Sequence, residues 1–259
     1  MRMMKKVLGT VTVLALSVSL LAGCGSTAVS PVSSTASTVA ESTTSSVVSE
    51  TTSAAADENA AAAAQLLNDL TGSYQELWPV ILADEYQQTW LDNCTALVGE
   101  ENAEAAFEKL SSMVTSDVYG EDAVEAYANG GGAYFCGFTN SLATLTFDGE
   151  TSTISGTDKD GNVLFSHTYH YIGMEPVHGL YEFESDDADS GEFTYFFLAP
   201  DTSAETYHIE FRYGSDAEAL SQYDTGEYAY WLASGISTDC DQTMIDNCIE
   251  LFCTENLAG

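Results

Sequence analysis

The stretch Glu192–Asp216, EFTYFFLAPDTSAETYHIEFRYGSD, decides how this chain is read. It divides into two strand patterns joined by a polar connection. In the second, Tyr207, Ile209, Phe211 and Tyr213 share one face, while His208, Glu210 and Arg212 share the other, because strand side chains alternate between faces. The aromatic face calls for a core. The polar face has two readings: a solvated surface, or an imidazole and a carboxylate side by side within reach of one ion. The chain has only 4 histidines, so the second reading justifies a search for further ligands.

Upstream, the same period of two recurs in Ala133–Phe138, Leu142–Phe147, Thr151–Gly156, Val163–Ile172, Leu180–Glu184 and Phe193–Leu198, and Thr206–Tyr213 ends the series. Asp160-Gly161 is a hairpin-turn signal. Short strands with polar turns in this number predict an antiparallel barrel or sandwich. Ahead of them the period is helical. Leu66, Leu67 and Leu70 form a short apolar face, Gly72 breaks it, and Tyr74, Leu77 and Trp78 resume it as far as Pro79. Further helices are expected at Asp84–Leu97, Glu101–Val114 and Glu121–Ala128, and Gly130-Gly131-Gly132 separates them from the strands. A last helix is expected at Gln242–Asn256. Helices, antiparallel sheet and a closing helix give the class α+β, with an antiparallel β-barrel at its centre.

The N-terminus reads as a targeting segment. Arg2, Lys5 and Lys6 precede an apolar run, Val7–Leu21, that is short for a bilayer span, and the run ends in Leu21-Ala22-Gly23-Cys24. This resembles a bacterial lipoprotein signal: residues 1–23 are expected to be removed and the Cys24 thiol lipidated. The expected address is extracytoplasmic, lipid-anchored to the cell membrane. Residues 24–58, rich in Ser, Thr and Ala, offer too little apolar surface to offset the entropy of ordering, and read as a disordered tether. Residues 59–259 then form one domain, long enough for a core.

The formal net charge is -34 at pH 7. Beyond the signal the basic residues are Lys109, Lys159 and Arg212. Nucleic-acid binding needs the opposite sign, and docking of the domain on an anionic membrane is equally disfavoured. An acidic surface concentrates cations instead. Cys94, Cys136, Cys240, Cys248 and Cys253 allow at most two bridges, whose pairing the spacing leaves open. No CxxC pair suggests a zinc ribbon or a thioredoxin-like site.

Five collinear pieces carry a family resemblance: LNDLTGSYQELWPVI, DKDGNVLFSHTYHYIG, HGLYEFES, SGEFTYFF and YHIEFRYGSDAEALSQYDTGEYAYW. Together they span most of residues 66–259, and the chain resembles the ZinT (YodA) family of calycin-type zinc-binding domains. The resemblance implies a calycin or lipocalin-like barrel with N-terminal helices. It also implies a zinc site of three histidines, two of them in an HxH strand and one upstream. The first His of HxH falls on His208 and the second on Glu210, a carboxylate that still ligates zinc. The upstream His aligns with Asp201 or with Phe196, according to where a short deletion is placed. Only the Asp201 alignment keeps a His/Asp/Glu set.

His170, on the polar face of its strand, and His178, at the start of the next, are the further metal candidates. His167 shares the apolar face with Phe165 and Tyr169 and reads as a packed residue. Asp158–Gly161 and Asp187–Glu192 each echo part of a calcium loop without completing one, and read as solvated turns. No nucleophile elbow or helical HExxH is present, so no enzyme is expected. The expected function is binding of a divalent metal, zinc first, for buffering or for delivery to a metal-uptake transporter. The alternative is a metal-free barrel that holds a small organic ligand or acts as a surface interaction module.

Overall fold

The computed structural model describes residues 47–200 and 208–258. The expected signal peptide, Cys24, the first part of the tether and Asp201 lie outside the described residues. Among those described, eight strands form one closed, wholly antiparallel barrel in sequence order: β1 Gly72–Glu76, β2 Thr144–Asp148, β3 Thr153–Thr157, β4 Val163–Met174, β5 Tyr181–Ser185, β6 Tyr195–Leu198, β7 Ile209–Gly214 and β8 Ala233–Ser237. β1 closes the ring on β8, with Tyr74 opposite Ser237. The fold is therefore α+β with a calycin-like barrel. A closed barrel leaves no strand edge to manage.

Alternation fills the barrel. Phe147, Phe183, Phe196, Phe211 and Tyr213 are each at most 1% exposed and belong to one apolar cluster. The interior is packed side chain, with the rings of Phe196 and Tyr213 stacked 5.3 Å apart. This runs against an organic ligand held inside the barrel.

Helix α1, Val47–Asp69, seats Ala63, Leu66, Leu67 and Leu70 in that same cluster. It begins inside the stretch expected as tether. Its run of alanines, the best helix formers, gives the physical reason, since propensity there needs no buried face. A second core lies outside the barrel. It joins α2 (Leu77–Ile81), α3 (Gln87–Val98), α4 (Glu100–Ser112) and α7 (Gln242–Leu257) to Ile236 of β8. Trp90 anchors it, fully buried, with its indole N–H donating to the Ile81 carbonyl at 2.7 Å. Helices α5 (Glu121–Ala128) and α6 (Ala217–Leu220) are shorter pieces.

Three expectations change. Residues 72–76 are strand β1, where a helix was expected, because Gly72, at φ +147°, ends the helical run and the next residues close the barrel. Strand β8 was not expected; its sequence ASGIS has a single β-branched residue, Ile236, among small ones, and so shows no alternating strand pattern. Ala133–Phe138 is not a barrel strand. It makes isolated bridges through Phe135 and lies along β8, where Ser234 N donates to the Cys136 carbonyl at 3.0 Å. The Asp160-Gly161 hairpin forms as expected, with Gly161 at φ +80° and the Asp158 carboxylate accepting from Asn162 N at 2.8 Å. No helix among the described residues is long and apolar enough to cross a membrane.

Gly149, in the β2–β3 hairpin, makes a testable contact with α1. Its amide donates to Thr71 Oγ1 at 3.0 Å, and a Cβ built on it would lie 2.4 Å from the Asn68 backbone. Backbone cannot yield as a flexible side chain can. Gly149→Ala is expected to cost about 1–3 kcal/mol, an overpacking penalty, read as a lower urea midpoint. An unchanged midpoint would show that α1 does not press on this hairpin.

Candidate metal site

The polar face of β7 is only partly solvated, from full burial at Arg212 to 32% exposure of the Glu210 side chain. It lies beneath loops and helices, and each of its side chains meets a different partner. Arg212 is fully buried. Its Nη1 donates to the carbonyls of Leu220 and Gln222, and its Nη2 to that of Tyr228, so the guanidinium gathers the whole stretch that leads from α6 back to β8. The planar fork suits this task, because it reaches several acceptors at once. The guanidinium also lies 4.2 Å from the centre of the Tyr223 ring.

His208 and Glu210 stand together, with His208 Nε2 3.8 Å from Glu210 Oε1. The His208 side chain is 14% exposed. Burial opposes a positive charge there, yet hydrogen bonding to the Cys248 thiol and the nearby Glu210 carboxylate outweighs it, and the imidazole is held well above its usual pKa. Cys248 comes from α7 and is 2% exposed. A thiol, an imidazole and a carboxylate thus meet where the barrel wall faces the helical layer. Glu210 lies opposite Ser234 of β8 and also raises the Cys136 pKa, which burial has already pushed up, to about 12.

The other sequence candidates keep separate company. His178 stands in the β4–β5 connection with its Nδ1 3.7 Å from Glu175 Oε2. Glu175 is fully buried and accepts from the amides of Val177 and His178 at 2.8 and 2.6 Å. The His178 ring packs 3.7 Å from the Tyr223 ring, and burial holds its pKa below the usual value. His170, on β4, bonds Asp186 through Nδ1 at 2.8 Å. His167 bonds Asp187 at 2.8 Å and lies against Phe165. Phe196 is core, and Asp201 is outside the described residues. Among the described residues no group of three or more His, Cys, Asp and Glu is arranged to hold a metal, and the five cysteines are free thiols.

Cys248 is the residue that sequence reasoning missed. The signal was present: Ile245, Cys248 and Ile249 fall at i, i+3 and i+4 on the buried face of the last helix. What the sequence withholds is that this face lies over His208.

Two outcomes follow. Arg212→Leu leaves three carbonyls without their donor, and is expected to cost about 3 kcal/mol or more, given the penalty for each unpaired buried polar group, measured by denaturant titration; a loss under half of that would contradict the anchoring role. For His208 the raised pKa sets the sign. The stability it contributes is present below the ordinary value of 6.5 and is lost as pH rises through the folded value. The melting temperature of the native protein should therefore fall relative to that of His208→Gln as pH rises above 6.5. Parallel profiles would mean that Cys248 and Glu210 do not hold the proton.

No protein-family model matches the sequence, and no curated protein matches it. Among solved structures, the chain is similar to the Zn(II)-bound ZinT-like domain of Streptococcus pneumoniae AdcA, at 16% identity and a TM-score of 0.45, over 71% of this chain and 89% of that one. It is also similar to Zn(II)-bound AdcA from Streptococcus pneumoniae, at 16% identity and a TM-score of 0.41, over 75% of this chain and 35% of that one. The likeness concerns the fold and assigns neither a residue nor a metal to this chain. The calycin-like class rests on the closed antiparallel barrel itself.

Proposed function

We propose that the domain binds a divalent transition-metal ion, zinc first, on the outer face of β7, and buffers it or passes it to an uptake system. The observation that carries this reading is the His208 imidazole beside the Glu210 carboxylate, Nε2 to Oε1 3.8 Å, with the Cys248 thiol hydrogen-bonded to His208. Zinc takes imidazole nitrogen at about 2.0–2.1 Å and carboxylate oxygen at about 2.0–2.2 Å. A separation of 3.8 Å between Nε2 and Oε1 is close to the span of one bridged ion. Imidazole and carboxylate are donors that suit zinc over calcium or magnesium, and the Cys248 thiol joins them on one ion only after the side chains move from their present arrangement. Asp201, the third ligand under the alignment that keeps a His/Asp/Glu set, lies outside the described residues.

Loading exchanges protons for metal. The proton held on His208 and the one on Cys248 must leave, so affinity rises with pH and binding releases protons. Such a site takes its cargo reversibly, as buffering or delivery requires. At 2% exposure the Cys248 sulfur faces its neighbours rather than solvent, which favours ligation over attack on a substrate. The setting in this reading is extracytoplasmic, with Cys24 lipidated and the domain tethered to the cell membrane. The acidic surface draws cations toward it.

A cleft of about 330 Å³ supports a second reading. It is lined by Glu76, Trp78, Thr115, Phe135 and Cys136, outside the barrel core. That volume suits a small organic ligand, and the cleft displaces the barrel interior as the place for one.

Calorimetry in two buffers of different ionisation enthalpy decides between these readings. One zinc equivalent is expected, with proton release, lost in His208→Ala and weakened about tenfold or more in Cys248→Ser, in keeping with removal of a direct ligand. Binding that survives both substitutions unchanged would rule out the strand site. A co-purifying organic molecule without zinc affinity would favour the cleft.

A further inference from the structure

We infer that the outer face of β4 and β5 carries a second, separate divalent-metal site, in which His170 Nε2 and Glu184 Oε2 are the ligands and Asp186 orients the ring. The sequence alone does not bring these residues together. The antiparallel register does so, because His170 and Glu184 are Cα partners across β4 and β5. Directly opposed residues have Cβ atoms about 4.5–5.5 Å apart, which puts their side-chain ends within reach of one ion.

The placement of one hydrogen gives the argument its force. Asp186 Oδ1 lies 2.8 Å from His170 Nδ1. An ionised carboxylate only accepts, so Nδ1 carries the hydrogen and donates it. In the neutral ring Nε2 then holds a lone pair, and that lone pair faces Glu184 Oε2 at 4.0 Å. Two acceptors facing each other at that distance call for a bridging donor or a cation between them. A divalent cation fills that place while Nδ1 keeps its hydrogen.

The surroundings are those of a ligating histidine. Metal-bound imidazoles donate their other N–H to a carboxylate, which fixes the tautomer and raises the basicity of the ligating nitrogen. Asp186 stands in that position, and its own amide is tied to the Thr168 carbonyl at 2.8 Å. Glu184 is steadied in turn, since Tyr195 Oη donates to Oε1 at 3.2 Å and leaves Oε2 toward His170. The His170 side chain is 52% exposed and that of Glu184 39%, so an ion can enter and water can complete its coordination. The two-donor set of imidazole and carboxylate suits zinc and its first-row neighbours. None of these residues is a partner of His208, so the site stands or falls apart from the one on β7.

Nitrogen-15 spectroscopy of the histidine rings, in the whole protein labelled at histidine, tests this with zinc alone as probe. The titration is run on the native protein and on His208→Ala, so that loss of the β7 site cannot be confused with loss of this one. In both, the His170 Nε2 resonance is expected to move saturably while Nδ1 keeps its hydrogen. Glu184→Gln should abolish the saturation below millimolar zinc, and Asp186→Asn should weaken it about 10–100-fold, the usual effect of losing an orienting partner. A His170 ring that does not respond to millimolar zinc, or one that responds equally in Glu184→Gln, overturns the proposal. The side chains of His170, Glu184 and Asp186 reach the surface, and the backbone amide spectrum reports directly that each variant, His208→Ala included, is folded.

Discussion

Strand β7 is fully buried on its inner face and largely covered on its outer one, and much of the molecule follows from that. Ile209, Phe211 and Tyr213 belong to the barrel core, so His208, Glu210 and Arg212 must point the other way. A lone strand could leave such a face to water. Here it lies under packed structure, and a polar group taken from water without a partner costs several kcal/mol on the order of a lost hydrogen bond or more. Each side chain therefore has to find a counterpart. Arg212 finds three carbonyls and so fixes the course of the chain between β7 and β8. His208 and Glu210 find each other and Cys248, and so fix where α7 lies.

This constraint also decides where chemistry can occur. Calycin barrels are suited to enclosing a ligand, but the aromatic rings of this one fill the interior. What remains polar lies between the barrel wall and the helical layer, or on the outer face of β4 and β5. The second core is held by Trp90 and by Phe252, which meets Trp78 at 4.7 Å edge to face. That apolar packing carries Cys248 onto the strand, so the geometry of the donor set depends on the helices as much as on β7. The free thiols of Cys94 and Cys253, 4.0 Å apart, are buried in the same layer.

The strands from Thr144 to Gly214 were legible because aromatic and β-branched residues mark the inward positions at a period of two. Histidine facing was legible for the same reason. His167 lies against Phe165 on the inner side, while His170 faces out to Asp186. Strands β1 and β8 were not legible, since each carries a single marker, Tyr74 or Ile236, among small and polar residues, and one marker shows no period. Ala133–Phe138 misled because its alternation serves two bridges at Phe135 and not a ladder. The strand half of the metal site could be read from YHIEF, because His208 and Glu210 are two apart on one face. Cys248 could not be placed, because its contact depends on how a helix packs across 40 residues of intervening chain. That distance is tertiary information, and local pattern does not contain it.

The burial of Arg212 reaches beyond the site. Among the described residues, the targets for a trypsin-like protease are Lys109, Lys159 and Arg212. Both lysines are exposed, one on α4 and one in the β3–β4 turn. Arg212 lies in mid-barrel with no accessible surface. Its peptide bond opens to a protease only when β7 leaves the sheet, which cannot happen without breaking the ring. The chain thus carries its own reporter of global opening, silent in the native state and distinguishable by fragment mass from cleavage at the two surface lysines.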